Sequence, residues 1–324
     1  MLNKIYDFIC ITIIVKKSLK LNIISYSQKL GFDKIGFASV EPFVEEKEVF
    51  RKWVDEGRHG SMKYLERNLE ERFDPSKILE GCKTAIVLAV NYFNPDKNHI
   101  AKINSGKIAR YAWGKDYHKI IKLKLISLAE KISEIFPDSK NMTFVDSGTL
   151  PEKLLAVRAG VGWQGKNSLI LTKEFGSYVF LGIILTTNEF EPDEPHKDFC
   201  GDCTKCLDDC PTSAIIKPGL VDATRCISYW TIETKSYIEI PLDIVNNSRS
   251  RVFGCDICQE VCPWNRFAKP TEETEFQVKD NRTELSKEFI QNLTNEEFKI
   301  MFKDRSLKRI KLKGMKRNVC MIKE

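Results

Sequence analysis

The apolar positions in the first 190 residues alternate between helical spacing and strand-like runs. Helical spacing is found over 21–30, 43–56 and 118–136, and these segments end at Gly31, Gly57 and Pro137. A short strand is predicted over 33–40, and the continuous apolar run 83–93 is typical of a strand buried on both faces. The pattern predicts an α/β or α+β domain over 19–188.

A strand predicted over 142–145 places Asp146 at its carboxyl end, where open α/β sheets carry reactive groups. The glycine-rich stretch 158–167 follows, and it leads into strands predicted over 168–171 and 177–187. Its glycines lack the Walker spacing and no helical pattern follows them, so a nucleotide site is only weakly indicated.

Two cysteine runs follow an acidic, proline-punctuated linker at 189–195. The first contains Cys200, Cys203, Cys206 and Cys210, with spacings of three, three and four residues and a final Cys-Pro. The second, Cys255, Cys258 and Cys262, repeats this arrangement without its first cysteine. In bacterial two-cluster ferredoxins the fourth cysteine of each run ligates the other cluster. The runs therefore predict a two-cluster ferredoxin-like domain over 189–270.

Counting ligands tests this prediction. Cys200, Cys203, Cys206 and Cys262 complete one set of four, whereas Cys210, Cys255 and Cys258 leave the other set one thiol short. Cys226 is the remaining cysteine between the runs and completes the count for two 4Fe-4S clusters. The alternatives are paired structural zinc sites, which usually lack the third cysteine and the Cys-Pro ending, and a disulfide framework, which requires a secreted chain.

Composition and the N-terminal sequence favour a cytoplasmic protein without a membrane anchor. The chain has 324 residues, 42% of them hydrophobic, and its other cysteines are scattered, as suits a reducing compartment. The apolar run 5–15 contains Asp7 and is too short to span a bilayer. Residues 1–18 are interpreted as a surface extension or as a wrongly assigned start.

Beyond residue 269 the sequence becomes polar, and a helix pair is predicted over 285–302. The basic segment, defined as 305–317, carries seven lysine and arginine residues and no acid. This density favours a polyanionic partner, nucleic acid first, although a solvated helix face is an equally good interpretation. We expect 271–324 to form a short, helical, basic C-terminal segment.

Several stretches together resemble the epoxyqueuosine reductase family. They are Ala-Arg-Tyr-Ala-Trp-Gly-Lys-Asp-Tyr-His at 109–118, Val-Asp-Ser-Gly at 145–148, the glycine-rich stretch 158–167, Arg-Cys-Ile-Ser at 225–228, and the cysteine runs. The resemblance covers about 19–316. It implies an oxidoreductase that reduces the epoxide on the modified wobble guanosine of tRNA to the cyclopentenediol of queuosine, using cob(II)alamin and two 4Fe-4S clusters. Longer members carry a further helical-repeat domain that helps to hold tRNA, and this chain ends about where that domain would begin.

The resemblance also implies roles for individual residues. Asp146 matches the catalytic aspartate and would donate a proton, although the sequence alone favours a helix cap for residues 152–159. Cobalamin-lining positions are matched by Arg72, Asp146, Ile170, Leu181, Ser228 and Asp256. Arg72 could instead form a loop salt bridge. We expect Tyr117 and His118 near the corrin or the substrate, and Lys153 at a tRNA contact.

The implied partners are a tRNA anticodon stem-loop carrying epoxyqueuosine and a low-potential electron donor such as a flavodoxin or ferredoxin, with the enzyme acting as a monomer. There are two alternatives, one close in mechanism and one from a different class of protein. A reductive dehalogenase shares the cofactors but would normally carry a twin-arginine signal, and a ferredoxin-type electron carrier would leave the preceding α/β region unexplained.

Overall fold

The computed structural model describes residues 17–95, 103–146, 148–278 and 282–323. The apolar run 5–15 lies outside the described residues, and so does Ser147 beside Asp146. Within the described ranges no helix is both long enough and apolar enough to cross a membrane.

Twelve α-helices and eleven strands are found in the described ranges. The helices are α1 (17–29), α2 (Val44–Asp55), α3 (Leu69–Phe73), α4 (Tyr117–Ile135), α5 (Glu152–Arg158), α6 (Lys205–Asp208), α7 (Ile227–Ile232), α8 (Leu242–Asn246), α9 (Ile257–Glu260), α10 (Lys287–Asn292), α11 (Asn295–Met301) and α12 (Lys311–Asn318). The strands are β1 (Lys34–Ser39), β2 (Thr84–Asn91), β3 (Ser105–Ile108), β4 (Asn141–Phe144), β5 (Trp163–Gln164), β6 (Ile170–Leu171), β7 (Val179–Thr186), β8 (Ile215–Lys217), β9 (Leu220–Val221), β10 (Arg251–Phe253) and β11 (Glu284–Ser286).

The main sheet has the strand order β1-β2-β7-β4, and all its pairings are antiparallel. Every residue of β2 is buried, as the continuous apolar run predicts. Ile86 and Leu88 belong to one hydrophobic cluster, whereas Ala85 and Val87 belong to another. Because successive side chains point to opposite faces, both faces of the strand are covered. The antiparallel pairing makes this region α+β, one of the two classes that the sequence predicts.

Helices pack on both faces of the main sheet. Ile23 of α1 and Ile121 and Leu125 of α4 are fully buried on one face. On the other face, Phe73 of α3 and Leu155 of α5 pack against the sheet. The apolar stripe of α4 repeats at helical spacing because only that side of the helix meets the sheet. The result is a three-layer sandwich that holds the end of β4, and hence Asp146, in place.

A second sheet, of order β10-β3-β11, joins the three parts of the chain. β3 pairs in parallel with β10, which precedes Cys255, and antiparallel with β11, which begins the C-terminal segment. A hydrophobic cluster spans the same three regions and includes fully buried Val252, Phe302 and Met315. The C-terminal helices are therefore part of a core shared with the cysteine region, and the domain boundaries placed at 189 and 271 stay a prediction.

Candidate active site

A cavity of about 650 Å³ is bounded by all three regions. It is called the main cavity below. One wall is apolar and includes Tyr92, Val179 and Phe180, and another carries the cysteines that precede and follow α7. Cavities of this size commonly bind small molecules or part of a larger cofactor.

Most of the predicted site residues meet at this cavity. The structure places on its lining Tyr117, His118, Asp146, Lys153, Ile170, Leu181, Ser228 and Asp256. They come from five elements and two connecting segments, so a single cavity brings together positions that span 140 residues of the sequence.

Arg72 does not line the main cavity. Its guanidinium lies over the ring of Phe50, 5.5 Å from the centroid, and its Nε is buried without a hydrogen-bond partner. Burial lowers the pKa of Arg72, and the neighbouring Tyr64 phenol opposes this shift. A buried donor without a partner is costly, so this group is suited to a polar ligand approaching from outside the described chain. The loop salt bridge that was its alternative role is not formed within the described residues.

Asp146 follows β4 directly and is exposed to the cavity, with 63% of its side chain accessible. Its Oδ2 accepts a hydrogen bond of 2.5 Å from the Tyr117 hydroxyl and lies 3.8 Å from His118 Nε2. Its own backbone N–H donates to Glu152 Oε1 at 2.7 Å. Asp146 does not cap α5. Pro151 occupies the N-cap position of this helix, and no side chain makes a capping hydrogen bond there. The carboxyl group therefore faces the cavity and not the helix.

Burial shifts the proton affinities of two neighbours of Asp146. It raises the pKa of Glu152 to about 8, and the charge of Asp146 adds to this effect. Burial also raises the pKa of the Tyr117 hydroxyl, again with a contribution from Asp146. Tyr117 therefore remains a neutral phenol that donates its hydrogen bond to Asp146.

The apolar wall is built from stacked aromatic rings. The Tyr117 and Phe180 rings are nearly parallel with centroids 4.0 Å apart, and Tyr92 stacks on Phe180 at 4.3 Å. His118 stacks on Tyr117 at 4.1 Å. Such packing fixes the side-chain angles of Tyr117 and His118, so the Tyr117 hydroxyl and His118 Nε2 are held toward Asp146.

Asp116 and Lys308 also line the cavity, although no functional role was predicted for Asp116. Asp116 caps α4 and accepts from His118 Nδ1 at 2.7 Å, while Lys308 Nζ donates to its second oxygen at 2.7 Å. Burial of the Asp116 carboxyl favours its neutral form, yet the bonds from His118 and Lys308 hold its pKa well below the usual range. The position of Asp116 at the head of a helix pattern is the one signal that the sequence offers for it.

Four thiols share a wall of the main cavity: Cys210, Cys226, Cys255 and Cys258. Backbone N–H groups of Tyr229 and Ser228, at the start of α7, donate toward the Cys226 sulfur, and that of Ala214 lies 3.2 Å from the Cys210 sulfur. Hydrogen bonds from backbone amides to the cysteine sulfurs are typical of iron-sulfur clusters. The structure thus places Cys226 beside the three cysteines that the count left incomplete.

The other four thiols line a separate cavity of about 290 Å³: Cys200, Cys203, Cys206 and Cys262. Burial raises the pKa of Cys206 to about 11, and the charges of Cys262, Cys200 and Cys203 add to the shift. The mutual repulsion of these thiolates would be relieved by a bound cluster, since its iron replaces the thiol protons.

The spacing of these cysteines argues against both alternatives. All ten cysteines in the described ranges are free thiols. In those ranges no three cysteine, histidine or acidic side chains converge closely enough to hold one metal ion. Two cavities that are each lined by four thiols, of which no three could hold a single ion, fit clusters of several metal atoms better than single zinc ions.

The basic segment contains cations that form ion pairs within the chain and cations on the exposed surface of α12. Lys308 pairs with Asp116, and Arg309 donates to Glu233 at 2.7 Å, so both are tied to the cavity wall. The side chains of Lys311, Lys313 and Lys316 are exposed on α12.

The comparisons with known proteins cover nearly the whole chain. Residues 72–147 match the family model "Epoxyqueuosine reductase QueG, DUF1730", and 199–265 match a "4Fe-4S double cluster binding domain". The chain is 42% identical over 298 residues to the epoxyqueuosine reductase of Cyclobacterium marinum, covering 92% of this chain and 94% of that protein.

Two solved structures share the fold over 95% of this chain and 81% of theirs. One is an epoxyqueuosine reductase with an epoxyqueuosine-modified tRNA-Tyr stem loop, with a TM-score of 0.89 and 34% identity. The other is the Bacillus subtilis epoxyqueuosine reductase with its catalytic aspartate loop swung out of the active site, with a TM-score of 0.88 and 32% identity.

Proposed function

The chain belongs to the epoxyqueuosine reductase family, and we propose from this membership how its main cavity carries out the reaction. The protein is an oxidoreductase that reduces epoxyqueuosine to queuosine in tRNA, with cobalamin and two 4Fe-4S clusters as its cofactors. One observation carries the proposal: Asp146 and four cluster-type thiols lie on the walls of the same cavity.

The eight cysteines ligate the clusters in the two sets that the cavities define. Cys210, Cys226, Cys255 and Cys258 hold the cluster beside the main cavity, and the other set holds the second cluster. Each cluster passes one electron at a time, so two in series suit a two-electron reduction. A low-potential protein such as a flavodoxin or ferredoxin supplies the electrons, and the enzyme acts as a monomer.

Ile170, Leu181, Ser228 and Asp256 line the main cavity and would hold cobalamin against its apolar wall. Arg72 reaches this cofactor or the tRNA with its unpartnered Nε. When bound, cobalamin supplies the reduced metal centre that acts on carbon. The chain contributes orientation, exclusion of water and protons.

Asp146 donates a proton to the oxygen that leaves carbon. Its carboxyl group is exposed to the cavity and is oriented by the Tyr117 hydroxyl at 2.5 Å. A fixed carboxyl group within reach of the leaving oxygen is the arrangement that general acid catalysis requires. The Bacillus subtilis relative, with its catalytic aspartate loop swung out of the active site, supports this role for the loop after β4.

The tRNA stem-loop enters the cavity from the side of Lys153, whose side chain is exposed. A solved relative binds an epoxyqueuosine-modified stem loop, which supports this substrate. Lys153 lies one residue after the start of α5, next to Asp146, so a phosphate held there would bring the modified base toward the acid.

The test is single-turnover conversion of epoxyqueuosine in a tRNA anticodon stem-loop by chemically prereduced holoenzyme. We expect wild type to form queuosine and Asp146→Asn to react about a hundred to ten thousand times more slowly. The substitution keeps the size of the side chain, so the clusters and cobalamin absorption should be unchanged. Asp138→Asn, in the exposed turn after α4, is the matched control.

Two outcomes would contradict the proposal. If wild type leaves epoxyqueuosine intact, the assigned substrate is wrong. If Asp146→Asn reacts within a few-fold of wild type, Asp146 is not the acid.

A further inference from the structure

We propose that His118 supplies the second proton of the reaction through Asp146, and that Asp116 and Lys308 hold it in position to do so. The inference rests on the proposed function, because it concerns how the acid at the main cavity is recharged. It follows from the contacts among these four side chains.

The stoichiometry requires two protons. Removing an epoxide oxygen as water breaks two C–O bonds, forms one C=C π bond and two O–H bonds, and consumes two electrons and two protons. The clusters supply the electrons. A single carboxyl group holds one proton, so Asp146 must be recharged within the cycle or a second group must deliver the other proton.

The hydrogen bonds fix which nitrogen of His118 is available. Asp116 Oδ1 lies 2.7 Å from His118 Nδ1, and a carboxylate accepts but does not donate. Nδ1 therefore carries a proton in both charge states of the ring, and Nε2 gains or loses the second one. Nε2 lies 3.8 Å from Asp146 Oδ2, so a small side-chain movement brings the donor and the acceptor into hydrogen-bond contact.

His118 can also exchange protons with water. Its side chain is 38% exposed, whereas that of Asp116 behind it is 9% exposed. Tyr117 also contacts Asp146, but burial raises the pKa of its hydroxyl, so it cannot release a proton to recharge the acid. His118 is thus the neighbour of Asp146 that both meets solvent and can carry a transferable proton on Nε2.

Acidic and basic groups lie near His118 on the elements packed around it. They come from α4 (Asp116 and Lys119), the segment around the start of α5 (Asp146 and Glu152) and the C-terminal segment (Asp304 and Lys308). Asp116 makes the direct contact, so its carboxylate favours the imidazolium. Lys308 pairs with that carboxylate and opposes the charge on the ring.

The experiment is the pH dependence of single-turnover conversion by prereduced holoenzyme. In wild type we expect the rate to fall at alkaline pH, because the reactive form of His118 is the imidazolium. His118→Gln should react about a hundred times more slowly and should lose this alkaline limb. Added imidazoles should restore its rate in proportion to their acid strength, which a purely structural role would not produce.

Substitutions of the two positioning residues, Asp116 and Lys308, should shift the pH profile in opposite directions. Asp116→Asn keeps the helix cap but removes the negative charge, so the alkaline limb should move to lower pH. Lys308→Met removes the opposing cation, so the limb should move to higher pH. General damage to the site would not displace the two profiles in opposite directions.

Three results would overturn the inference. One is a His118→Gln rate within three-fold of wild type with the same pH profile, and another is a loss that imidazoles do not restore. The third is an alkaline limb of the pH profile that stays in place in both positioning variants, or that moves in the same direction in both. If wild type itself leaves epoxyqueuosine intact at every pH, the proposed function fails and the inference fails with it; conversion by wild type therefore separates the two.

Discussion

Cys226 shows what a single residue contributes to this site. It lies between the two cysteine runs, at the start of α7, yet shares a cavity wall with Cys210, Cys255 and Cys258. Its role as the eighth cluster ligand was inferred by counting thiols and stays a prediction. A cluster that loses one of four thiolates is expected to be lost or strongly destabilised.

We therefore expect Cys226→Ala to lower the iron content after anaerobic reconstitution from about eight to about four per chain. Iron analysis and the electron paramagnetic resonance of the reduced protein measure the effect. Cys320→Ala is the control, since Cys320 is exposed and lies outside both sets. An unchanged iron content in the Cys226 variant would show that another group completes the cluster.

Glu152 gives a second prediction at the scale of one residue. Its pKa is raised from 4.5 to about 8 by burial and by Asp146. A raised pKa in the folded state stabilises the fold at pH below 4.5, and this contribution is lost as pH rises toward 8. In cobalamin-free protein, Glu152→Gln should reduce the fall in melting temperature between pH 5 and 8. A fall equal to that of wild type would mean that Glu152 titrates normally.

Other residues of the site could not be found from the sequence. The Asp-Tyr-His stretch at 116–118 is visible in the sequence, but Lys308 lies 192 residues from Asp116 and no spacing links the two. Tertiary packing alone brings them together. The same holds for Arg309 and Glu233, whose contact ties the basic segment to the cavity wall.

At the scale of elements, α12 is amphipathic. Leu312 and Met315 are buried in the shared core, whereas Lys311, Lys313 and Lys316 are exposed. The sequence predicted a basic face toward nucleic acid or solvent. In the structure Lys308 and Arg309 are also exposed, but they form ion pairs within the chain.

Replacing Lys311, Lys313 and Lys316 together by Ala should weaken stem-loop binding and flatten its dependence on salt. Each lost phosphate contact lowers the slope of log K against log salt by about 0.7 to 0.9. Fluorescence anisotropy at several salt concentrations measures both quantities. Single-turnover rates at saturating stem-loop should change little, and an unchanged salt slope would exclude phosphate contacts from this face.

The periodic elements were predictable because burial dictates their patterns. The helix at 118–136 and the strand at 83–93 were predicted to within two residues. The pairing of strands was not predictable, since β3, β10 and β11 are short and distant in sequence. Their apolar residues carry no information about which strand they will meet.

At the scale of the whole molecule, the C-terminal segment stabilises the cysteine region. Asn318 is fully buried, and its Nδ2 lies 2.8 Å from both the Thr231 and the Val252 carbonyl oxygens. These acceptors belong to α7, which follows Cys226, and to β10, which precedes Cys255. One amide group thus connects the end of the chain to two segments that carry thiols.

We expect Asn318→Ala to lower the free energy of unfolding by about 1 to 3 kcal/mol, because it leaves buried carbonyl groups without a donor. Denaturant unfolding of the apoprotein measures this, and iron content reports the effect on the clusters. Asn247→Ala, at an exposed position after α8, should change stability by less than about 0.5 kcal/mol. Equal effects of the two substitutions would contradict the connecting role of Asn318.

The backbone of Asp146 restricts which residues evolution can place there. Its φ of 44° lies in the left-handed region, which aspartate, asparagine and glycine adopt more readily than other residues. Glutamate, the other carboxylic acid, lacks the short side chain that makes this conformation accessible. Of the three residue types that fit, aspartate alone is an acid. Substitution by asparagine or glycine is therefore expected to retain the loop conformation while removing the carboxylic acid that the proposed mechanism requires.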